Sequence, residues 1–82
     1  MKIQKRIIKL VSWVANVPAT QILPSTDIRE DLNIDSIDYM LLIVKMESLF
    51  NVVLTNEQVE RIETVKDASE HIRLQLAAGS SK

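Results

Sequence analysis

Apolar residues recur at spacings of three and four along most of the chain, a pattern typical of amphipathic helices. In residues 2–15 they are Ile3, Ile7, Leu10, Val11 and Val14. Pro18 follows shortly afterwards and disfavours continuation of a helix. The pattern therefore predicts a first helix over residues 2–15 that turns one face to a core.

Residues 16–35 show no sustained period and hold both prolines of the chain. The Pro24-Ser25-Thr26-Asp27 stretch is turn chemistry, and a single helical turn from Asp27 to Asp31 is compatible with the sequence. Four apolar residues are expected to pin this connection to the core: Val17, Ile22, Ile28 and Leu32. Such a long connection in so small a chain is often functional.

A second helix is predicted over residues 36–50, and it is apolar on nearly all sides. Its expected core arc holds Tyr39, Leu42, Ile43, Met46, Leu49 and Phe50. The opposite arc adds Ile37, Met40, Leu41 and Val44. A helix of this kind is either buried on all sides or turned toward a partner.

Two capping signals predict two further helices. Thr55 with Gln58 fits a capping box and opens a short third helix that ends near Ile62. Thr64 opens a fourth helix that runs to about residue 77. The apolar face of this helix holds Val65, Ala68, Ile72 and Leu76.

The predicted architecture is all-α: a four-helix bundle with a long first loop and a short third helix. The only β-like patch, residues 51–54, is too short to form a sheet. Residues 1–78 are expected to form a single domain. Gly79 is a plausible helix stop, and residues 79–82 are expected to form a flexible tail.

Composition narrows the classes of function. The chain has 82 residues, of which 46% are hydrophobic, and it has no cysteine and a single histidine, His71. Disulfides, thiolate metal sites, cysteine nucleophiles and multi-histidine metal sites are therefore excluded. So short a chain leaves little space for a deep cleft. We expect a non-catalytic module on which other enzymes act.

Charge is balanced overall but unevenly distributed. The net charge is -1, which disfavours a general nucleic-acid binder. Residues 1–26 carry four bases and no acid, whereas residues 27–47 carry six acids and two bases. No apolar run is long enough to span a bilayer, and no cleavage site follows the basic start. The expected location is the cytoplasm.

The informative segment runs from Asp31 to Asp38, with Ser36 at the start of the second helix. Helix starts present unpaired N–H groups and partial positive charge, which suit a phosphate. A hydrolase is disfavoured because only His71 could serve as a base. From residue types alone, Ser36 reads most simply as an ordinary helix N-cap.

The chain resembles an acyl carrier protein. The family's mark is Asp-Ser-Leu at the start of the second helix, and here Asp35-Ser36-Ile37 stands there. Residues 30–34 match the segment upstream of the motif, although Asn33 replaces the usual glycine. The likeness extends over residues 3–76 in helix order and loop length. Asparagine tolerates a left-handed backbone, so we expect the turn to survive.

The resemblance implies a phosphopantetheine carrier rather than an enzyme. A phosphopantetheinyl transferase would attach the cofactor from coenzyme A to Ser36, with magnesium, and Asp35 would support that metal-assisted transfer. The arm would hold acyl groups as thioesters for acyl-loading and acyl-transfer enzymes. Fatty-acid, polyketide or related lipid biosynthesis is the implied setting, and no metal ion resident in the protein itself is expected. The chain is expected to be a monomer.

The family is usually more acidic than this chain, and Leu41 stands where an acid is common. We therefore hypothesise a largely apolar docking surface beside Ser36, formed by Ile37, Asp38, Met40, Leu41, Val44 and Glu47. The alternative is that the long loop buries Met40 and Val44. The resemblance also allows an acyl-chain pocket near Met46, Val59, Ile62 and Ala68, although plain core packing is the favoured explanation for each of these residues.

Two other functions stay open at this stage. One is an aminoacyl or peptidyl carrier, including a D-alanyl carrier. The other is a helical protein-interaction domain in which Ser36 only caps a helix.

Overall fold

Four α-helices make up most of the part of the chain that the computed structural model describes, residues 2–78. These are α1 (Lys2–Ala15), α2 (Ser36–Phe50), α3 (Asn56–Arg61) and α4 (Val65–Ala77). Within the described residues there is no β-strand, only an isolated bridge between Asp27 and Thr64. The predicted four-helix architecture is confirmed. The helix stop expected at Gly79 and the tail over 79–82 lie outside the described residues.

The core is one apolar cluster to which α1, α2, α4 and the connections contribute, and α1 packs against both α2 and α4. Its largest fully buried side chains are Ile7, Val11, Ile28, Leu42, Met46, Ile62, Val65 and Ile72. Burial of these aliphatic side chains is the main contribution that favours folding, because the chain has few aromatic residues to bury. The short α3 has no fully buried residue, and its Val59 packs against the cluster from the side.

Two predictions about the core are wrong. Leu49 is 41% exposed and Leu76 is 38% exposed, although each continues the apolar face of its helix. Leu49 lies at the edge of the α1–α2 contact, and Leu76 lies in the last turn of α4. Helical periodicity predicts the direction of a side chain, but it carries no information on how far the neighbouring helix extends to cover it.

The long connection is anchored to the start of α4. The Pro24 carbonyl accepts the Lys66 N–H at 2.9 Å, and the Thr26 carbonyl accepts the Val65 N–H at 3.2 Å. The first N–H groups of a helix have no partner within the helix, and here the loop supplies two. The loop is therefore an ordered part of the structure.

Apolar side chains hold the same connection against the core. Ile22 and Ile28 are buried and Val17 and Leu32 are half-buried, as predicted. The predicted turn after Asp27 is confirmed by the Asp31 N–H, which donates to the Asp27 carbonyl at 3.0 Å. A short 3-10 turn at Ala19–Gln21 was not predicted.

No helix within residues 2–78 combines the length and the apolar character needed to cross a bilayer.

Candidate carrier site at the start of α2

Asp35, and not Ser36, is the N-cap of α2. Its backbone is extended, its carboxylate accepts the Asp38 N–H at 2.8 Å, and its carbonyl accepts the Tyr39 N–H at 2.9 Å. The interpretation of Ser36 as the cap is therefore wrong by one residue. Ser36 is the first helical residue, it is exposed, and no hydrogen bond within the described residues engages its hydroxyl. Its oxygen is thus free for chemistry.

The turn that leads into this helix survives without glycine. Asn33 has a φ of 55°, in the left-handed region. Asparagine adopts this region at lower cost than most residues. The expectation that Asn33 preserves the turn is confirmed, and the turn leads directly to the Asp35 cap.

A groove of about 290 Å³ opens beside Ser36 between α2 and α3. It is lined by Arg29, Ser36, Tyr39, Met40, Asn56, Val59 and Glu60. One end offers the Ser36 hydroxyl and the start of a helix, and the walls are a mixture of apolar and polar groups. A flexible chain attached at Ser36 can lie in this groove.

Tyr39 joins the two helices that form the groove. Its hydroxyl lies 2.9 Å from the carbonyl oxygens of both Val59 and Ile62, to which it donates its proton. Burial raises the pKa of Tyr39, and the nearby positive charge of Arg29 only partly offsets this. The phenol therefore stays protonated at neutral pH and remains a donor.

Arg29 brings a positive charge to the groove. Its guanidinium carbon lies 4.5 Å from the centroid of the Tyr39 ring, which is a cation–π contact. The loop anchored on α4 thus presents a cation beside the start of α2. A helix start and a guanidinium together favour a bound phosphate.

Sequence reasoning missed Arg29, Asn56 and Glu60 as groove residues. One signal was available: Arg29 is the only base between Asp27 and Val44. Asn56 and Glu60 carried no signal, because their position depends on how α3 packs against α2.

The residues expected to dock partners lie mostly on the surface. Ile37 is 78% exposed and Val44 is 55% exposed, and Met40 and Leu41 are exposed as well. The alternative in which the loop covers Met40 and Val44 is wrong, because the loop turns toward α4 instead. These four residues are called the docking strip below.

The two acids of the predicted docking surface are less available. Asp38 is half-buried, and its N–H is held by the Asp35 cap. Glu47 is also half-buried, and its carboxylate accepts the Leu54 N–H at 2.8 Å. Glu47 therefore stabilises the α2–α3 connection, a role that the sequence did not indicate.

The residues expected around an acyl chain lie in or beside the core. Met46, Ile62 and Ala68 are fully buried, whereas Val59 is half-buried and lines the groove. An acyl chain that followed the groove would reach Val59 first. The part of this prediction that concerns the other three residues stays a prediction.

His71 lies half-buried in α4 and is not among the residues that line the groove beside Ser36. The arrangement needed for a serine nucleophile and its base is therefore not assembled in this groove.

An exposed serine at a helix start, a capping aspartate and an adjoining groove in a small helical bundle form a site of the kind that a carrier domain requires. Comparisons with known proteins support that class. The sequence pattern of the family described as "Phosphopantetheine attachment site" matches residues 5–72. The chain belongs to this family, that of the acyl carrier proteins, and it is a phosphopantetheine carrier protein.

A solved structure agrees with this assignment. The acyl carrier protein from Enterococcus faecalis, whose structural components were studied for their contribution to high thermal stability, matches with a TM-score of 0.79. The two sequences are 30% identical, and the match covers 90% of this chain and 94% of that one.

The residues present fit the covalent cofactor of this family, phosphopantetheine. The start of α2 and the Arg29 guanidinium suit its phosphate, and the groove suits its flexible arm. When bound, the arm supplies a thiol, which this cysteine-free chain lacks. Proteins of this family generally serve as substrates of transferases and biosynthetic enzymes.

Proposed function

We propose that Ser36 carries the phosphopantetheine arm and that the chain delivers acyl groups, held on that arm as thioesters, to enzymes of fatty-acid, polyketide or related biosynthesis. The observation that carries this proposal is the free Ser36 hydroxyl at the first position of α2, beside a groove. The carrier needs no catalytic group of its own. A cytoplasmic location and a monomeric state stay predictions.

Each residue of the site has a distinct part in the proposed loading step. The Ser36 oxygen would bond to the coenzyme A phosphorus next to the pantetheine, the bridging P–O bond to the nucleotide half would break so that this half leaves, and the serine proton would pass to a base of the transferase. Asp35 holds the helix start rigid through its bond to the Asp38 N–H and presents a carboxylate to the transferase-bound magnesium. Arg29 stays beside the phosphate through its contact with Tyr39.

The docking strip is the proposed contact with partner enzymes. Ile37, Met40, Leu41 and Val44 expose apolar side chains along α2 next to Ser36. Such a surface binds by removing apolar area from water, which depends weakly on salt. Asp38 and Glu47 add carboxylates at its margins, so partners are expected to show a mainly apolar patch with few bases.

An aminoacyl or D-alanyl cargo uses the same arm, and no feature of the groove favours it over an acyl cargo. The proposed acyl chain would pass along Val59 toward Met46, Ile62 and Ala68. Because these three residues are already packed, a long chain requires the core to open.

The test is loading in vitro. The protein is incubated with coenzyme A, magnesium and a broad-specificity phosphopantetheinyl transferase, and its intact mass is measured. We expect a gain of one phosphopantetheine in the wild type and none in Ser36→Ala.

The matched control is Ser48→Ala, which removes another exposed serine from the same helix. This variant should load as the wild type does. Loading of Ser36→Ala would place the attachment elsewhere, and failure of the wild type with several transferases would favour a plain interaction domain.

A further inference from the structure

A second surface, distinct from the carrier site, lies where α1 passes the C-terminal end of α2. It is a shallow groove of about 360 Å³ lined by Arg6, Lys9, Leu10, Trp13 and Leu49. These five residues are called the basic groove. Leu49 follows Ser36 by thirteen residues, so at about 1.5 Å per residue this surface lies about 20 Å along α2 from the carrier serine.

The charge of this surface is all of one sign. Arg6 and Lys9 are exposed, and the Lys45 ammonium lies 5.0 Å from the centroid of the Trp13 ring at the edge of the groove. No acid occurs in residues 1–26. Within residues 2–78 the salt bridge, between Glu70 and Arg73, lies on α4, so no ion pair neutralises the cations of the groove.

The two acids of α2 do not change that sign. Glu47 is turned to the Leu54 N–H. Asp38 shares a helix face with Lys45 but lies seven residues, or about 10 Å, nearer to the carrier site. The groove therefore presents positive potential together with exposed apolar area.

Aromatic and aliphatic side chains form the floor of this surface. Trp13 is 65% exposed and is the largest exposed apolar side chain among the described residues. Leu49 is exposed beside it. The Arg6 guanidinium lies 5.7 Å from the centroid of the Phe50 ring, which keeps it at the mouth of the groove. An exposed tryptophan among basic residues on an amphipathic helix is typical of a helix surface that lies on a lipid interface.

We propose that the basic groove docks on the surface of an anionic lipid membrane. Lipid phosphates meet Arg6, Lys9 and Lys45, while Trp13 and Leu49 enter the headgroup region. The polar side-chain groups of the residues that line the groove are all donors: a guanidinium, an ammonium and the indole N–H. A layer of phosphate oxygens matches that set, whereas a protein surface presents donors as well as acceptors.

Membrane contact at this groove leaves Ser36 accessible, because the two lie at opposite ends of α2. If the proposed carrier function holds, the loaded arm is thereby brought to membrane-bound acceptors. The lipid contact itself does not rest on that function, and its test uses the unloaded protein.

The experiment mixes the full chain with vesicles of equal parts phosphatidylglycerol and phosphatidylcholine, and separately with pure phosphatidylcholine vesicles. Trp13 is the single tryptophan, so its emission reports on the groove directly. We expect a blue shift and co-sedimentation with the anionic vesicles alone, weakened by added salt. Absence of binding to anionic vesicles, or equal binding to neutral ones, overturns the proposal.

Two double variants identify the surface. Arg6→Gln with Lys9→Gln should lower the affinity for anionic vesicles about 25-fold, or about fivefold for each base removed. Arg61→Gln with Lys66→Gln removes two exposed bases outside the groove and should leave the affinity unchanged. Equal losses in both would show that net charge alone drives the binding and would overturn the assignment. Circular dichroism checks that each variant is folded. If the double variant at Arg6 and Lys9 does not fold, Lys9→Gln alone takes its place, and its affinity for anionic vesicles should fall about fivefold.

An acidic protein partner is tested in parallel with poly-L-glutamate. If poly-L-glutamate shifts the Trp13 emission and the vesicles do not, the occupant is an acidic polypeptide and the membrane proposal is wrong.

Discussion

The Tyr39 hydroxyl of α2 lies 2.9 Å from the carbonyl oxygen of Ile62, the C-cap residue that follows α3. The shortest helix of the bundle has no fully buried residue of its own, so this contact and the adjacent Val59 carbonyl help to hold it in place. The same contact positions one wall of the groove beside Ser36.

Tyr39→Phe tests this link and keeps the ring, including its contact with Arg29. We expect the free energy of unfolding to fall by about 1–2 kcal/mol, because the buried Ile62 carbonyl loses its donor. Urea unfolding followed by circular dichroism measures the change. Unaltered stability would mean that water replaces the phenol and that the link is dispensable.

Two substitutions of Asp35 separate its role as the N-cap of α2 from its proposed role in the metal-assisted loading step. Asparagine caps helices as well as aspartate does, so Asp35→Asn should keep the free energy of unfolding within about 0.5 kcal/mol, whereas Asp35→Ala should lower it by about 1 kcal/mol. If the carboxylate supports the metal, Asp35→Asn should also slow loading by the transferase about 10- to 100-fold. Loading of this variant at the wild-type rate would reduce Asp35 to a cap.

Replacement of Leu41 tests the docking strip. Leu41→Ser should raise the KM of the transferase for the protein about 5- to 30-fold, because an apolar contact with the enzyme is lost. The matched control is Leu74→Ser, which changes another exposed leucine, on α4, and should leave KM unchanged. A wild-type KM that rose steeply between low and moderate salt would instead indicate recognition by charge.

Asp67 makes stability depend on pH. Burial alone would raise the pKa of Asp67, but hydrogen bonds from the Thr64 and Glu63 N–H groups more than offset it and hold this pKa below its usual value. A lowered folded-state pKa stabilises the fold above the unfolded pKa of about 3.9, and that stability is lost as pH falls through the folded value.

Asp67→Asn removes this charge. At pH 7 the variant should unfold more easily by about 0.5–1 kcal/mol, because a carboxylate near the start of α4 is lost. The difference should shrink toward zero as pH falls below about 3.9. The urea midpoints of the wild type and of the variant, measured at pH 7 and again below about pH 3.9, give this difference. A difference that did not change with pH would assign the effect to altered packing or hydrogen bonding rather than to the lost charge.

Local signals predicted the elements closely. The capping boxes at Thr55 and Thr64 are both formed, and α1 and α2 have the bounds that periodicity indicated. These signals act within one or two helical turns, so the sequence contains them completely. The candidate serine was found for the same reason, since the Asp35-Ser36-Ile37 motif is contiguous.

The sequence by itself determined the four helices, the carrier motif and the concentration of positive charge on α1. Only the tertiary structure decided which apolar faces are covered. The docking strip stays exposed because the long loop bonds to α4 and does not cover it, and Leu49 stays exposed because it lies at the edge of the α1–α2 contact. It also decided that Arg29 meets Tyr39, a contact made by a loop whose course depends on the helices it packs against. Periodicity and capping depend on neighbours along the chain, whereas exposure and grooves depend on segments distant in sequence.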